Sequence, residues 1–308
     1  MRFGVLLTEF PNQTSVAMWR VAVAMRELGQ SVELISTRSG SGRDDFRATF
    51  GDDLDRVFNA WPPKPLDLFR SLLADPSSFL RCLRYLSSLR ELSILDRGKL
   101  TVMTMASASL ARHCRRRGID HLIVHSMADA AHLVAMAKLM GGCDYSLRLG
   151  GDLEVYGGDH SQKVHQAHLV IAAAESNRMQ VIRDLKLDER RVIQSSLGVD
   201  TRRFRPVTIL DLPHDPIRIV TVARLNPSKG HRYAIEALRQ LNQSGIACHY
   251  RIVGEGNHKS TLQNRVDQLR LTDQVTFVGA ANQDQVLKEL SAADIFLIWS
   301  VHRYTPHT

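Results

Sequence analysis

The sequence has 308 residues, 44% of them hydrophobic and 23% charged, which is enough apolar material for a globular core and excludes a disordered chain. Its net charge of +8 favours anionic partners such as nucleotides, phosphates or acidic lipid surfaces. There is no basic tail of the kind that binds nucleic acid, no apolar run close to the roughly 18 residues of a membrane span, and no N-terminal run long enough for a signal peptide.

The first half of the chain alternates predicted strands with predicted helices. A strand over 3–8, an amphipathic helix over 15–29 and a strand over 31–37 form a β-α-β unit, which is typical of parallel sheets. Residues 40–100 are less regular. The alternation then resumes, with strands over 119–126, 143–149, 168–174 and 190–196 and helices over 127–141 and 176–186.

One amphipathic segment in the irregular region, residues 78–95, has two interpretations. Its apolar residues recur with helical spacing, and Arg81, Arg84 and Arg90 lie beside that stripe. We favour a helix packed on the first sheet with solvated arginines, because many helices of soluble proteins have this pattern. The alternative is peripheral contact with an anionic membrane surface.

A second series of strands and helices follows a turn-rich segment, residues 197–216, where we place the domain boundary. Strands over 217–223, 247–254, 274–279 and 294–300 alternate with helices over 228–245, 257–271 and 284–293. The sequence therefore predicts an α/β protein with two Rossmann-like domains. The first spans 1–205, and the second, shorter one spans 206–308.

Several familiar signatures are absent from the sequence. There is no G-x-G-x-x-G after the first strand, no Walker-type phosphate loop, no G-x-S-x-G and no H-E-x-x-H. The 13 histidines do not have metal-ligand spacing, so we expect no metal site. The four cysteines form no C-x-x-C pair, which favours reduced core residues of a cytoplasmic protein.

The connection after the strand over 217–223 reads ARLNPSKG and carries Arg224 and Lys229. Ligands of open parallel sheets bind at the carboxyl ends of the strands. We place Lys229 in the first turn of the following helix, whose free N–H groups and positive dipole attract an anion. Arg224 adds a planar donor fork, so the pair could hold a diphosphate. The alternative is a turn capped by Ser228 with two solvated cations.

Two further strand ends carry glycines. GEGNH at 254–258 places glycines on both sides of Glu255, which permits close approach of the backbone to another group. VTFVGA at 275–280 ends its strand at Gly279. Each piece alone is also compatible with an ordinary turn.

Together, the order and spacing of these pieces resemble the donor-nucleotide domain of the GT-B glycosyltransferases, most closely the large retaining family 4. That family carries G-R-L-x-x-x-K-G, I-x-G-x-G, V-x-F-x-G and A-D-I-F-L-x-P-S, and the corresponding pieces here are ARLNPSKG, IVGEG, VTFVGA and ADIFLIWS. LGVDTRRFRP at 197–206 matches the family's G-V-D-x-x-x-F-x-P. Residues 125–157 are similar to the stretch that leads to the family's H-G-x-D.

The resemblance implies a glycosyltransferase that moves a sugar from a nucleotide-sugar to a saccharide or lipid-linked acceptor in cell-surface polysaccharide synthesis. It implies catalytic roles for Arg224 and Lys229, which would neutralise the diphosphate leaving group without a metal or other cofactor. Such an enzyme would be cytoplasmic and could lie peripherally at the inner membrane face. The resemblance also implies donor-binding residues Gly254, Glu255, Gly256, Val278 and Gly279, and acceptor-side residues Asn12, Gln13, Thr14, Gly150 and Asp152.

Two departures from the family pattern leave alternatives open. The family usually has a histidine where Gly150 stands, and His160 could replace it only if the loop folds back. The family's E-x7-E does not follow ADIFLIWS in this sequence, so we expect a C-terminally truncated domain whose last strand exposes apolar surface. The alternatives are a catalytically inactive nucleotide-sugar-binding remnant and a sugar-nucleotide epimerase of the same fold.

Overall fold

A computed structural model describes residues 1–91, 93–205 and 214–299. The chain divides into two compact units after Gly198, within the turn-rich segment and a few residues before the predicted division between 205 and 206. Each unit contains one parallel sheet, which confirms the predicted α/β class with two Rossmann-like domains.

The first unit is built on a seven-stranded sheet with the strand order β3-β2-β1-β4-β5-β6-β7, and every described pairing in it is parallel. The order reverses direction at β1, as in a doubly wound sheet. The strands are β1 Arg2–Phe10, β2 Ser31–Ser39, β3 Phe58–Asn59, β4 His121–Val124, β5 Asp144–Leu149, β6 Leu169–Ala172 and β7 Val192–Gln194.

The two faces of this sheet belong to different clusters of core residues. Leu6 pairs with Ile35 on one side and Val124 on the other, and all three are fully buried in the larger cluster. Val5 points to the opposite face, because successive side chains of a strand alternate, and packs in the smaller cluster with Met18. The first unit's helices are α1 Val16–Glu27, α2 Arg47–Phe50, α3 Asp53–Arg56, α4 Pro65–Ala74, α5 Pro76–Ser88, α6 Ile94–Arg117, α7 Asp129–Leu139, α8 His160–His165 and α9 Glu175–Leu185.

The prediction of a single helix over 78–95 is wrong. The segment contains the end of α5 and the start of α6, with an extended Leu89 between them and Ser93 capping α6 through the amide of Asp96. The Asp159 carboxylate accepts hydrogen bonds from the backbone amides of Arg90 (2.8 Å) and Glu91 (3.1 Å). This contact from a distant loop satisfies amides that would otherwise continue the helix.

The second unit has a four-stranded parallel sheet with the order β10-β9-β8-β11. Its core includes Ile219, Ile235 and Ile252, which join the sheet to its helices. Its elements are β8 Ile217–Val222, α10 His231–Gln243, β9 Cys248–Val253, α11 Lys259–Gln268, β10 Val275–Gly279, α12 Gln283–Ser291 and β11 Ile295–Phe296.

The last described strand, β11, is an edge of this sheet and carries exposed apolar side chains. Phe296 is 52% exposed, and Ile295 and Ile298 are also exposed. The expectation of apolar surface at this strand is confirmed. The strand predicted over 294–300 is shorter in the described residues. Its register with β8 covers Ile295 and Phe296, backbone hydrogen bonds at Asp294 and Leu297 flank that pair, and residue 300 lies outside the described part of the chain.

Candidate functional site

The loop after β8 differs from its prediction in one respect. A 3₁₀ turn over Pro227–Lys229 precedes α10, which begins at His231. Gly230 has a φ of +61°, a left-handed conformation that interrupts the right-handed run. Lys229 is therefore not in the first turn of the helix, and Ser228 is not its cap, since the Ser228 hydroxyl donates to Asn226 Oδ1 at 2.8 Å.

Arg224 and Lys229 both project from this loop without a protein anion. Arg224 is exposed and Lys229 half-buried. Within residues 1–91, 93–205 and 214–299, neither side chain has a hydrogen bond or an ion pair, although many other cations of the chain are paired. Two unpaired cations on one short loop are available to bind an anion.

The predicted donor-binding loops lie side by side at the carboxyl edge of this sheet. Backbone hydrogen bonds join Leu225 N to Glu255 O (2.9 Å) and Gly254 N to Gly279 O (2.8 Å). The strand order places β9 between β8 and β10, so the loops after all three strands are neighbours. The structure thus brings the residues predicted in this half of the chain to one edge, including Val278 at the end of β10.

The glycines of the GEG turn are needed to pack the two loops together. A Cβ at Gly254 would overlap the carbonyl oxygen of Ala223, and one at Gly256 would overlap that of Leu225. Gly254 also has a φ of +144°. The glycines therefore allow the close approach of these two loops. Between them, Glu255 pairs with Lys259 at 2.9 Å.

His231 supports the loop and was not identified from the sequence. Its ring Nε2 lies 3.0 Å from the carbonyl oxygen of Arg224, and the residue is 2% exposed. Burial lowers the pKa of His231, so the neutral ring donates one N–H to that carbonyl. The sequence shows His231 directly after Lys229 and Gly230. A supporting role for this histidine cannot be inferred from that position alone, because the role depends on its burial.

Trp299 is a second residue that the sequence did not indicate. Its backbone carbonyl and its indole Cδ1 pack against Gly230, so that a Cβ at position 230 would overlap them. This contact explains why glycine suits position 230 beyond its left-handed φ.

In the first unit, the predicted residues after β1 form a local cap. Asn12 Oδ1 accepts hydrogen bonds from Ser15 N (2.7 Å) and Thr14 Oγ1 (2.9 Å), at the start of the 3₁₀ turn that leads into α1. Asn12 is thus engaged by its own turn and Thr14 is exposed. The backbone of Gln13 lies in the turn, and its side chain is outside the described part of the structure.

The predicted residues after β5 form a second loop at the same edge of this sheet. Asn177 Nδ2 donates to Asp152 Oδ1 at 3.3 Å, which directs Asp152 toward α9. The Cβ position of Gly150 has the Tyr156 hydroxyl at 3.5 Å as its neighbour. His160 begins α8 and does not come within 4 Å of that position, so Tyr156 and not His160 stands where the loop returns toward Gly150.

Among the described residues, no group of three or more His, Cys, Asp or Glu residues could hold a metal ion. In the same part of the chain, no helix is long and apolar enough to cross a membrane.

The chain has two α/β units, each built on a parallel sheet, and the second carries a cationic loop and a glycine turn at the carboxyl edge of its sheet. This combination is the fold of the GT-B glycosyltransferases. Residues 207–302 match the family described as "Glycosyl transferases group 1". The second unit is therefore similar to a group 1 glycosyltransferase domain.

Similar proteins support the same class. The chain is 26% identical over 313 residues to "Putative colanic acid biosynthesis glycosyltransferase WcaL" of Escherichia coli (strain K12), covering 98% of this chain and 76% of that protein. A glycosyltransferase from Rickettsia africae has a similar fold (TM-score 0.65, 14% identity, 98% of this chain and 73% of that one). So has S. aureus TarM in a complex with UDP (TM-score 0.63, 9% identity, 97% and 81%). At these identities, the two solved structures show the fold alone.

Proposed function

We propose that this protein is a glycosyltransferase that moves a sugar from a nucleotide-sugar to a saccharide or lipid-linked acceptor during synthesis of a cell-surface polysaccharide. The observation that carries the proposal is that Arg224 and Lys229, on the loop after β8, have no side-chain partner among the described residues. The name of the E. coli relative supports a role in polysaccharide synthesis. The UDP in the TarM complex supports a nucleotide-linked donor.

The two cations suit the departure of a diphosphate. When the bond between the sugar and the donor breaks, negative charge develops on the terminal phosphate oxygen. The Arg224 guanidinium can donate two parallel N–H bonds to phosphate oxygens, and the Lys229 ammonium adds a point charge. Fixed cations that face the developing charge stabilise the transition state. In this proposal they replace a divalent metal, and the reaction retains the configuration of the sugar, as in family 4.

Positioning of these cations depends on the neighbouring loops. His231 holds the backbone of Arg224, and the GEG turn supports the same loop through Leu225. We assign the half-buried Val278 and Gly279, at the end of β10, to contact with the nucleotide base. In the first unit, we assign the loops with Asn12 to Thr14 and with Gly150 to Asp152 to the acceptor side.

Nucleotide binding tests the donor site directly. Calorimetry with UDP, ADP and GDP should show binding of at least one of them, and R224A and K229A should each weaken it by about 1.5–3 kcal/mol, because each removes a charge-assisted contact. The exposed Arg239 on α10 provides the control, and R239A should retain wild-type affinity. Unchanged affinity in R224A and K229A would contradict the assignment.

An acceptor-dependence assay separates this proposal from its alternatives. Release of the nucleoside diphosphate that requires a saccharide or lipid-linked acceptor indicates transfer. Release without an acceptor indicates hydrolysis, and conversion of the donor into an epimeric nucleotide-sugar without net release indicates epimerisation. Binding with neither release nor conversion would identify a nucleotide-sugar-binding protein.

We also propose peripheral contact with an anionic membrane surface through α4 and α5. Leu80 and Leu83 of α5 are exposed, and the exposed Arg84 follows them. On α4, Leu66, Phe69 and Leu73 are exposed with helical spacing. Apolar side chains beside arginine are the combination that binds acidic lipid headgroups.

A further inference from the structure

Arg148, the penultimate residue of β5, is a buried arginine without an anion. It is 6% exposed, and its Nε and Nη2 atoms are enclosed without a hydrogen-bond partner. No carboxylate in the described part of the chain pairs with it, whereas the less buried Arg26 pairs with Asp53 at 2.9 Å. A buried, unpaired charge is costly, so the enclosed donors indicate a group that binds there.

His125 directly follows β4 and lies near Arg148. Val124, the last residue of β4, pairs with Leu147, the residue before Arg148 on the adjacent parallel strand β5. Burial, and then the charge of Arg148, lowers the pKa of His125. Its Nδ1 is enclosed and has no partner among the described residues. A neutral imidazole can donate one N–H to the same ligand as the guanidinium.

The loop after β5 leaves space at this point. Among the described residues other than their chain neighbours, the Tyr156 hydroxyl alone comes within 4 Å of the Cβ positions of Gly150 and Gly151, at 3.5 and 3.8 Å. Burial lowers the pKa of Arg148, and the charge of Tyr156, the second influence, raises it. Arg148 therefore interacts electrostatically with both His125 and Tyr156, and the loop beside the Tyr156 hydroxyl carries no side chain at positions 150 and 151.

We propose that Arg148, with His125 and Tyr156, binds an anionic group of the acceptor, either a phosphate or a carboxylate. Both groups present paired oxygens that match the guanidinium fork. The acceptor of this enzyme is then an acidic molecule, whose charge lies on a lipid-linked diphosphate or on an acidic sugar. This inference rests on the proposed function, because it assigns the ligand of the first unit to the acceptor.

The test titrates the full chain with three probes, pyrophosphate, glucuronate and neutral glucose. Pyrophosphate can also bind at Arg224 and Lys229, so the titrations use an R224A/K229A background. In that background, the anion should bind more tightly than glucose. R148M should weaken anion binding roughly tenfold to a hundredfold, because it removes a charge-assisted pair of bonds. R148K should be intermediate, since it keeps the charge without the planar fork.

Arg183, which is exposed and pairs with Asp184 at 2.7 Å, supplies the matched control, and R183Q should bind like its parent. Binding of pyrophosphate alone assigns the site to a lipid-linked diphosphate, and binding of glucuronate assigns it to an acidic sugar. If neither anion binds better than glucose, or if R148M binds like its parent, the proposal is overturned.

Two further readouts separate this proposal from a structural role and from the donor site. Without an anion, R148M should melt at the same or a higher temperature than wild type, because it removes an unpaired buried charge. A markedly lower melting temperature would indicate a structural arginine. In the otherwise wild-type chain, R148M should bind UDP, ADP or GDP as wild type does. If neither wild type nor R148M binds a nucleotide, the proposed donor site is contradicted. The anion titration can still be interpreted, because it is carried out in the R224A/K229A background.

Discussion

His132 on α7 shows how burial sets the charge of a single residue. It is 1% exposed, and its Nδ1 lies 2.6 Å from the Tyr85 hydroxyl. Its Nε2 has no partner in the described part of the chain. Burial, reinforced by the nearby Lys163 charge, lowers the pKa of His132 to about 4. His132 is therefore neutral in the folded protein at a pH where the same residue of the unfolded chain is already protonated.

We predict an acid-sensitive contribution to stability from this residue. Between pH 6.5 and 4, the unfolded chain binds a proton at His132 that the folded protein does not bind, so the free energy of unfolding falls as pH falls. The contribution is about 3 kcal/mol over this window, by linkage from the shifted pKa. Urea unfolding across this pH range should show a smaller decrease in H132Q than in wild type.

The exposed His249 of β9 is the control for this experiment, and H249Q should follow the wild-type pH dependence. The same pH dependence in wild type and H132Q would show that His132 does not titrate differently on folding.

Residue types in a known order were sufficient to predict part of the site. Arg224 and Lys229 could be named because a strand, two cations and a glycine have a recognisable spacing. His231 and Arg148 could not, because their roles depend on burial and on partners that are brought close only by the fold. An arginine in a strand sequence does not reveal whether a carboxylate lies next to it.

At the scale of elements, helix ends were predicted less well than helices. The segment RHCRRRG at 112–118 has the basic residues and the glycine that are typical of a helix end, and Gly118 caps α6 in a left-handed conformation. The break between α5 and α6 was not, because it depends on Asp159, which lies almost seventy residues away in the chain. Lys229 was placed inside α10 for a similar reason, since the left-handed φ of Gly230 is not visible in the letters K-G.

The contact between the loops after β8 and β9 leads to a prediction for their glycines. In G254A and G256A, the new methyl group would overlap a backbone carbonyl that cannot move away freely. Each variant should lose about 2–4 kcal/mol of stability. Each should also weaken nucleotide binding, because the loop that carries Arg224 is displaced. Urea unfolding and calorimetry measure the two effects.

Gly245 separates this overlap from the effect of backbone conformation. It has a φ of +80°, but nothing lies within 4 Å of its Cβ position. G245A should therefore cost only about 1–2 kcal/mol, the usual penalty of a left-handed alanine, and should leave nucleotide affinity unchanged. If G254A and G256A behaved like G245A, close packing of the loops would not be important.

At the scale of the whole molecule, the alternation of strands and helices predicted both sheets. Periodicity reports the buried face of each element, and parallel β-α-β units follow from it with few exceptions. Within the region 40–100, the elements before α4 were not predicted, because α2 and α3 have only four residues each and β3 has two, too few for a periodic signal.

The net charge of +8 and the exposed leucines of α5 together predict binding to lipid vesicles. Vesicles that contain phosphatidylglycerol should retain the protein at low ionic strength and release it as salt screens the charges. The variant L80S/L83S should bind several-fold more weakly in a sedimentation assay, because it removes apolar contact area.

Leu28, at the end of α1, is 79% exposed and provides the comparison, so L28S should bind vesicles like wild type. Equal binding of L80S/L83S and wild type would exclude α5 from the membrane contact.

The packing of Trp299 against Gly230 also has a spectroscopic consequence. The chain has three tryptophans, and Trp299 is the only one in the second unit, since Trp19 and Trp61 belong to the first. Its indole is 61% exposed and touches the glycine next to Lys229. Indole emission depends on the polarity around the ring. The proposed donor site therefore contains an intrinsic fluorophore, whose emission wavelength reports the hydration of this loop without any added label.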